Sequence, residues 1–320
     1  MKLRVTTQPE TQTFYGHGKL LITGEYFVLD GALALALPTR LGQSLRVTEL
    51  HSSESILYWV ALNSKKQAWL NLTFDTTTFS CINSKDEVAQ RLSTILQQTR
   101  KLNPEFLAHH KDIAVETHLE FPNEWGLGSS STLIHCISKW AGIDGYELLK
   151  NTIGGSGYDV ACADAKGAII YQLEAGKPKT VAYNWLPPFK DKIYFAYTGN
   201  KQLSSEAIKY YKAHLNDKTE GVASLSQITE TILKCTSISE FEELIREHEN
   251  IIGAQLKQIK VGDTIFADYW GTVKSLGAWG GDFVMMTNEK TEAELKEYLK
   301  QKNISIAFSW DEIILNSNTN

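Results

Sequence analysis

The chain has 320 residues, a formal net charge of −5 and 42% hydrophobic residues, which is enough apolar material for two cores. The negative balance gives no general attraction to nucleic acid or to an anionic membrane, so neither is an expected partner and an anionic ligand must be held by a local site. The longest apolar run, Ala32 to Leu37, is far too short to span a bilayer, and Met1 to Glu10 is polar with no signal-peptide core, which makes the cytoplasm the expected compartment.

From Thr13 to Leu50 the chain reads as consecutive short strands, punctuated by Gly24, Gly31, Pro38 and Gly42, with Leu33, Leu35 and Leu37 alternating. Cys81, Cys136, Cys162 and Cys235 are widely spaced and form no C-x-x-C pair, so buried free thiols are expected rather than a zinc site or a disulfide framework. A helix is expected from Lys85 to Lys101, with Val88, Leu92, Ile95 and Leu96 on one face and Ser84 and Glu87 as a capping box. A half-buried strand follows, with Ile113, Val115, Thr117, Leu119 and Phe121 on its inner face, and Pro122 and Asn123 end it.

The next stretch, Gly126-Leu127-Gly128-Ser129-Ser130-Ser131-Thr132, turns directly into a helical pattern carried by Leu133, Ile134, Ile137, Trp140 and Ala141. Unpaired N–H groups in a first helical turn, the helix dipole and the hydroxyls of Ser129 to Thr132 form a place for a phosphate, and the glycines let backbone approach it. Further on, Gly167 to Tyr171 reads as a strand, and the glycines and prolines of Ala175 to Pro188 mark a boundary, giving expected domains of 1–180 and 181–320. The second half reads as a strand at Lys192 to Thr198, helices around Ser204 to Leu215, Val222 to Lys234 and Ser239 to Lys257, a glycine-rich turn at Gly277 to Gly281, a strand at Phe283 to Thr287, a helix at Thr291 to Gln301 and a last strand near Ile304 to Phe308. The mixture predicts an α+β protein with helices on one face of mostly antiparallel sheets, followed by a frayed tail at Asn316 to Asn320.

The familiar phosphate-binding signatures fail on spacing. There is no G-x-x-x-x-G-K-[ST], no complete G-x-G-x-x-G and no H-R-D loop to accompany Asp282-Phe283. Three other segments, taken in order, do resemble one family: Gly18-Lys19-Leu20-Leu21-Ile22-Thr23-Gly24-Glu25-Tyr26, Gly126-Leu127-Gly128-Ser129-Ser130 and Gly277-Ala278-Trp279-Gly280-Gly281-Asp282. They are similar to the three motifs of the GHMP kinases. A fourth segment, Gly155-Ser156-Gly157-Tyr158-Asp159-Val160-Ala161, resembles the stretch with the catalytic aspartate in the mevalonate kinase and phosphomevalonate kinase branch. Four positions depart from the pattern: His17 stands where proline is usual, Glu124 and Trp125 where small residues are usual, and Trp279 interrupts the last glycines.

The resemblance implies a ribosomal-protein-S5-like amino-terminal domain, a ferredoxin-like carboxy-terminal domain, and ATP with Mg2+ as the cofactors of phosphoryl transfer to a small-molecule alcohol. It implies that Asp159 takes or orients the acceptor proton and that Lys19 stabilises the transferring group. Gly126, Leu127, Gly128, Ser129, Ser130 and Ser131 would hold the nucleotide phosphates, Ser130 would also ligate magnesium, and Glu25 would stand behind the metal or serve as a buried partner in the first sheet. His17, Gly280 and Gly281 are the expected substrate contacts. Gly24-Glu25-Tyr26 leans toward a phosphomevalonate-like acceptor, for which Lys19, His17 and Arg40 supply cations. Two further readings stay open here: a catalytically silent binding protein of the same fold, against which Lys19, Ser130 and Asp159 count, and a decarboxylase of the same superfamily, against which the Gly24-Glu25 pair counts.

Overall fold

A computed structural model describes residues 10–52, 54–109, 111–199, 209, 211–213, 218–277 and 282–316. These form two compact units, both discontinuous in sequence. The first gathers the described residues of Met1–Gly16, Gly42–Pro122 and Ser129–Gly155, and the second those of His17–Leu41, Asn123–Gly128 and Ser156–Asn320. Two long strands, β1 (Thr11–Leu21) and β2 (Ala34–Glu49), pair with each other and run from one unit into the other. The interval 175–188 lies inside the second unit, where β7 (Lys177–Ala182) pairs with β6 (Ile169–Glu174) across a hairpin at Ala175-Gly176.

In the first unit β3 (Ile56–Leu62) pairs antiparallel with β4 (Ala68–Asp75) and parallel with β5 (Ile113–Leu119), and β5 pairs antiparallel with residues 43–49 of β2. The parallel β3–β5 ladder makes this sheet a mixed one, within the expected mostly antiparallel pattern. Strand β5 buries the expected face, Ile113, Val115, Thr117 and Leu119. Helix α1 (Glu87–Leu102) buries Ala89, Leu92, Ile95 and Leu96, but its cap is Asp86, whose Oδ1 accepts from Ala89 N–H at 2.7 Å. Ser84 instead donates to Asp86 Oδ2 at 2.8 Å, so it supports the cap from outside the helix. Helices α2 (Ser129–Ala141) and α3 (Gly145–Lys150) complete this unit.

The second unit holds α4 (Tyr158–Asp164), the pairing of residues 34–36 of β2 with β6, and a separate antiparallel sheet. That sheet contains β8 (Ile193–Tyr197), β9 (Val273–Leu276), β10 (Phe283–Thr287) and β11 (Ala307–Ser309) in the order β11-β8-β10-β9. Helices α5 (Thr219–Ile232) and α6 (Ile238–Leu256) lie between β8 and β9 in sequence. Helix α7 (Glu292–Gln301), which joins β10 to β11, starts at Thr291 with a complete capping box to Glu294. Its inner residues Leu295, Tyr298 and Leu299 pack with Ala196, Val284 and Met286 of the sheet into one buried cluster. Most of the helix expected at Ser204 to Leu215, and the last four residues of the tail, lie outside the described residues. All four cysteines are free thiols, with Cys136, Cys162 and Cys235 buried and Cys81 half-buried. Among the described residues no helix is long and apolar enough to cross a membrane.

Candidate active site

The site is assembled within the second unit around Lys19. Strand β1 becomes progressively buried toward its end, and Lys19 is only 8% exposed there. Gly18 makes the approach possible, because a Cβ at that position would lie 2.5 Å from Thr39 Oγ1 and 3.0 Å from Leu127 O. The backbone N–H of Lys19 donates to Leu127 O at 2.9 Å, and its ammonium donates to Gly126 O at 2.9 Å. Strand and turn are therefore tied at two points.

The glycines of the turn are required by both conformation and space. Gly126 has φ 67°, and a Cβ there would come within 2.1 Å of Asp282 Oδ2. Gly128 has φ 92°, and a Cβ there would lie 3.3 Å from Lys19 Cγ. At Gly277, φ is 77° and a Cβ would lie 3.8 Å from Asp282 Oδ2 and 3.9 Å from Lys19 Nζ. Side chains are excluded from the first two positions by geometry, and the three sequence segments meet at one ammonium and one carboxylate. Asp282 itself has φ 49° and is fixed by its carbonyl, which accepts from Thr198 N–H at 2.8 Å and from Thr198 Oγ1 at 3.0 Å.

The fourth segment supplies a short helix rather than an open turn. Gly157, in the left-handed region at φ 92°, opens α4, and Asp159 lies in its first turn with Oδ1 accepting from Val160 N–H at 3.0 Å. Lys19 Nζ stands 5.8 Å from the centre of the Tyr158 ring. Burial, and then the Asp159 charge, push the Cys162 thiol far above its ordinary range, while the Lys19 charge pulls it down. Lys19 therefore stands beside the first turn of α4, which carries Tyr158 and Asp159.

No protein-family model matches the sequence, and no curated protein does. Solved structures do match over nearly the whole chain. The mevalonate kinase of Methanococcus jannaschii superposes with a TM-score of 0.67 at 17% identity, covering 93% of this chain and 97% of its own. The phosphomevalonate kinase of Streptococcus pneumoniae, in complex with phosphomevalonate and AMPPNP, gives 0.69 at 15% identity over 93% and 99%. The galactokinase of Lactococcus lactis, complexed with galactose, gives 0.65 at 12% identity over 92% and 89%. The chain has the GHMP kinase fold.

Within that fold the remaining expected residues fall into distinct settings. Ser129, Ser130 and Ser131 open α2 in the first unit; Ser130 is exposed, Ser129 half-buried and Ser131 only 5% exposed. Leu127 is fully buried, so its backbone carbonyl, not its side chain, serves the site. His17 is half-buried with Nδ1 3.0 Å from Thr39 O. Arg40 donates through Nε to Asp311 O at 2.7 Å. Gly280 and Gly281, with Trp279, lie outside the described residues. Trp125 is 9% exposed and its indole packs against Tyr197, Phe283 and Phe308 at 6.0, 5.7 and 5.5 Å between ring centres. Its faces are filled by the second sheet, which anchors the residue preceding the Gly126 turn.

Glu25 belongs to a buried ion network whose other members come from α6 and β9, not from the first sheet. Its Oε1 accepts from Lys274 Nζ and its Oε2 lies 3.1 Å from His248 Nε2, with exposures of 1%, 0% and 0% for Glu25, Lys274 and His248. Lys274 Nζ also reaches Glu249 Oε1 at 3.4 Å, and Glu249 Oε2 accepts from Ser275 N–H at 3.1 Å. Burial alone would raise the Glu25 carboxyl, but Lys274 and then His248 outweigh it and hold the group down to about 2. A metal ion at Glu25 would have to displace Lys274. Among the described residues no cluster of three or more His, Cys, Asp or Glu side chains is arranged to hold a metal by itself. An ion carried on nucleotide phosphates needs few protein ligands, and the exposed Ser130 hydroxyl is a donor of the required oxygen chemistry.

Proposed function

We propose that the chain is an ATP- and magnesium-dependent small-molecule kinase that transfers the γ-phosphoryl group to an alcohol of the mevalonate or phosphomevalonate type. The observation that carries this reading is the Lys19 ammonium, tied to Gly126 O at 2.9 Å and lying over the ring of Tyr158, the residue before Asp159 in α4, beside three glycines that leave backbone bare. The expected naming of the two parts as S5-like and ferredoxin-like belongs to the same proposal. Support for the second name comes from the β8-αα-β9-β10-α-β11 connectivity and its β11-β8-β10-β9 order.

In the reaction, the acceptor hydroxyl gives its proton to Asp159 as its oxygen forms a bond to the γ-phosphorus. The bond from that phosphorus to the bridging oxygen breaks, and ADP leaves with the electron pair. Lys19 offsets negative charge on the transferring group from a nearly water-free position, where a fixed cation acts more strongly than in bulk solvent. Gly126 and Gly128 allow the nucleotide phosphates to approach backbone, and Ser129 to Ser131 present first-turn N–H groups. Magnesium, held through the Ser130 hydroxyl, would neutralise phosphate charge. His17, Gly280 and Gly281 remain the proposed acceptor contacts.

The test is ADP release from ATP and magnesium over a panel containing mevalonate, phosphomevalonate, galactose and other alcohols. Turnover is expected, with the highest kcat/KM on a mevalonate-type acceptor. Absence of both ATP binding and ADP release across the panel overturns the reading, and a clear preference for a sugar moves the acceptor class.

A further inference from the structure

The site contains a polar group to which the motifs assign no role. Tyr158 directly precedes Asp159, is half-buried, and lies under the Lys19 ammonium at 5.8 Å. Its neighbours are engaged: the Lys19 ammonium donates to Gly126 O, and Asp159 Oδ1 accepts from Val160 N–H. The ring contact with Lys19 uses the π-face of Tyr158 and leaves the hydroxyl at the ring edge available. Burial, followed by the charges of Asp159, Cys162 and Glu25, holds the phenol well above its ordinary pKa. It therefore stays protonated at neutral pH and can donate.

We infer that Tyr158 is a catalytic residue whose hydroxyl donates a hydrogen bond to a non-bridging oxygen of the γ-phosphoryl group during transfer. This rests on the kinase reading above. Three features argue for it. The ring stands under the Lys19 ammonium and directly precedes Asp159 in α4, the two residues between which the kinase reading passes a phosphoryl group whose charge spreads over its outer oxygens. A phenol is neutral, so it can lie next to the Lys19 cation without charge repulsion, which a second lysine could not do. Its placement on α4, one residue from Asp159, couples the donor and the proton acceptor to one rigid element.

The test compares wild type with Tyr158→Phe, which keeps the ring and its contact with Lys19 and removes only the hydroxyl. Turnover, the affinity for ADP, and the affinity for ADP with fluoroaluminate, which imitates the transferring group, are measured together with thermal melting. The expected result is a loss of about 10²-fold in kcat, the scale of removing one donor from a developing oxyanion. KM for the acceptor, ADP affinity and the melting temperature should be nearly unchanged, while fluoroaluminate no longer tightens ADP binding as it does in wild type. A purely packing role would be retained by phenylalanine and would leave kcat, the melting temperature and the fluoroaluminate effect intact. Unchanged kcat and unchanged fluoroaluminate tightening in Tyr158→Phe, with wild type active, overturn this inference alone. A wild-type protein that neither binds nucleotide nor releases ADP overturns the kinase reading and this role with it.

Discussion

Lys274 and Lys19 lie in the same unit, and both carry an ammonium that is largely removed from water, yet their surroundings differ in kind. Lys274 is closed in by the carboxylates of Glu25 and Glu249 and by Ser275 O at 2.9 Å, with His248 completing the network. Lys19 donates to one backbone carbonyl and sits above an aromatic face. The first arrangement surrounds the Lys274 ammonium with three protein acceptors. The second leaves donor capacity for a ligand, so the buried network is read as structure and the Lys19 end of α4 as chemistry.

The largest effect should come from opening the closed network. Removing one partner of a buried ion pair leaves an uncompensated charge, so Lys274→Met should cost about 3–5 kcal/mol in chemical denaturation. The pH dependence should also invert. In wild type the Glu25 carboxyl lies below its ordinary 4.5, so its contribution is complete above that value and is lost as pH falls toward about 2. Without Lys274, burial dominates and raises the carboxyl, so the folded state binds the extra proton and the variant should gain stability on mild acidification. A variant within 1 kcal/mol of wild type that acidifies in the same way would show that the two lysines do not differ as described.

Asp159→Asn tests the open side of the comparison. It should lower kcat by about 10²-fold or more while leaving nucleotide affinity and melting temperature close to wild type, because Asp159 is half-buried and asparagine keeps the shape and the Oδ1 acceptor for Val160 N–H. Near-normal turnover would remove Asp159 from the chemical step.

What the sequence made legible follows from range. Local periodicity marked the inner face of β5, the buried face of α1 and the start of α7 at Thr291, all within one or two turns of chain. The glycine segments announced positions where side chains do not fit, and Gly126 and Gly128 are such positions. The partner of Glu25 was out of reach, since Lys274 is 249 residues away and an isolated lysine in a β pattern carries no mark of burial. Strands β3 and β4 were missed because no glycine or proline separates them; their turn uses Asn63, whose Oδ1 accepts from Lys65 and Gln67 N–H at 3.0 Å each. Tyr158 was passed over because a tyrosine beside an aspartate reads as packing until its ring is found beneath Lys19.

Ser130→Ala should produce the smallest change and discriminates most finely. Ser130 is exposed in the first turn of α2, whereas its neighbour Ser131 is buried, so the two hydroxyls separate ligand binding from folding. If Ser130 supplies an oxygen to magnesium, its loss should raise the half-saturating magnesium concentration by about 10-fold. That lies at the low end for lost metal-site contacts, since phosphates and waters carry most of the coordination and a further water can fill the gap. Stability should stay within about 0.5 kcal/mol, as for other exposed substitutions. Ser131→Ala should do the opposite, lowering the melting temperature with no change in the magnesium requirement. An unchanged magnesium requirement in Ser130→Ala would make that residue a helix-end hydroxyl and shift the search for the metal's protein ligand to the Asp159 side of the site.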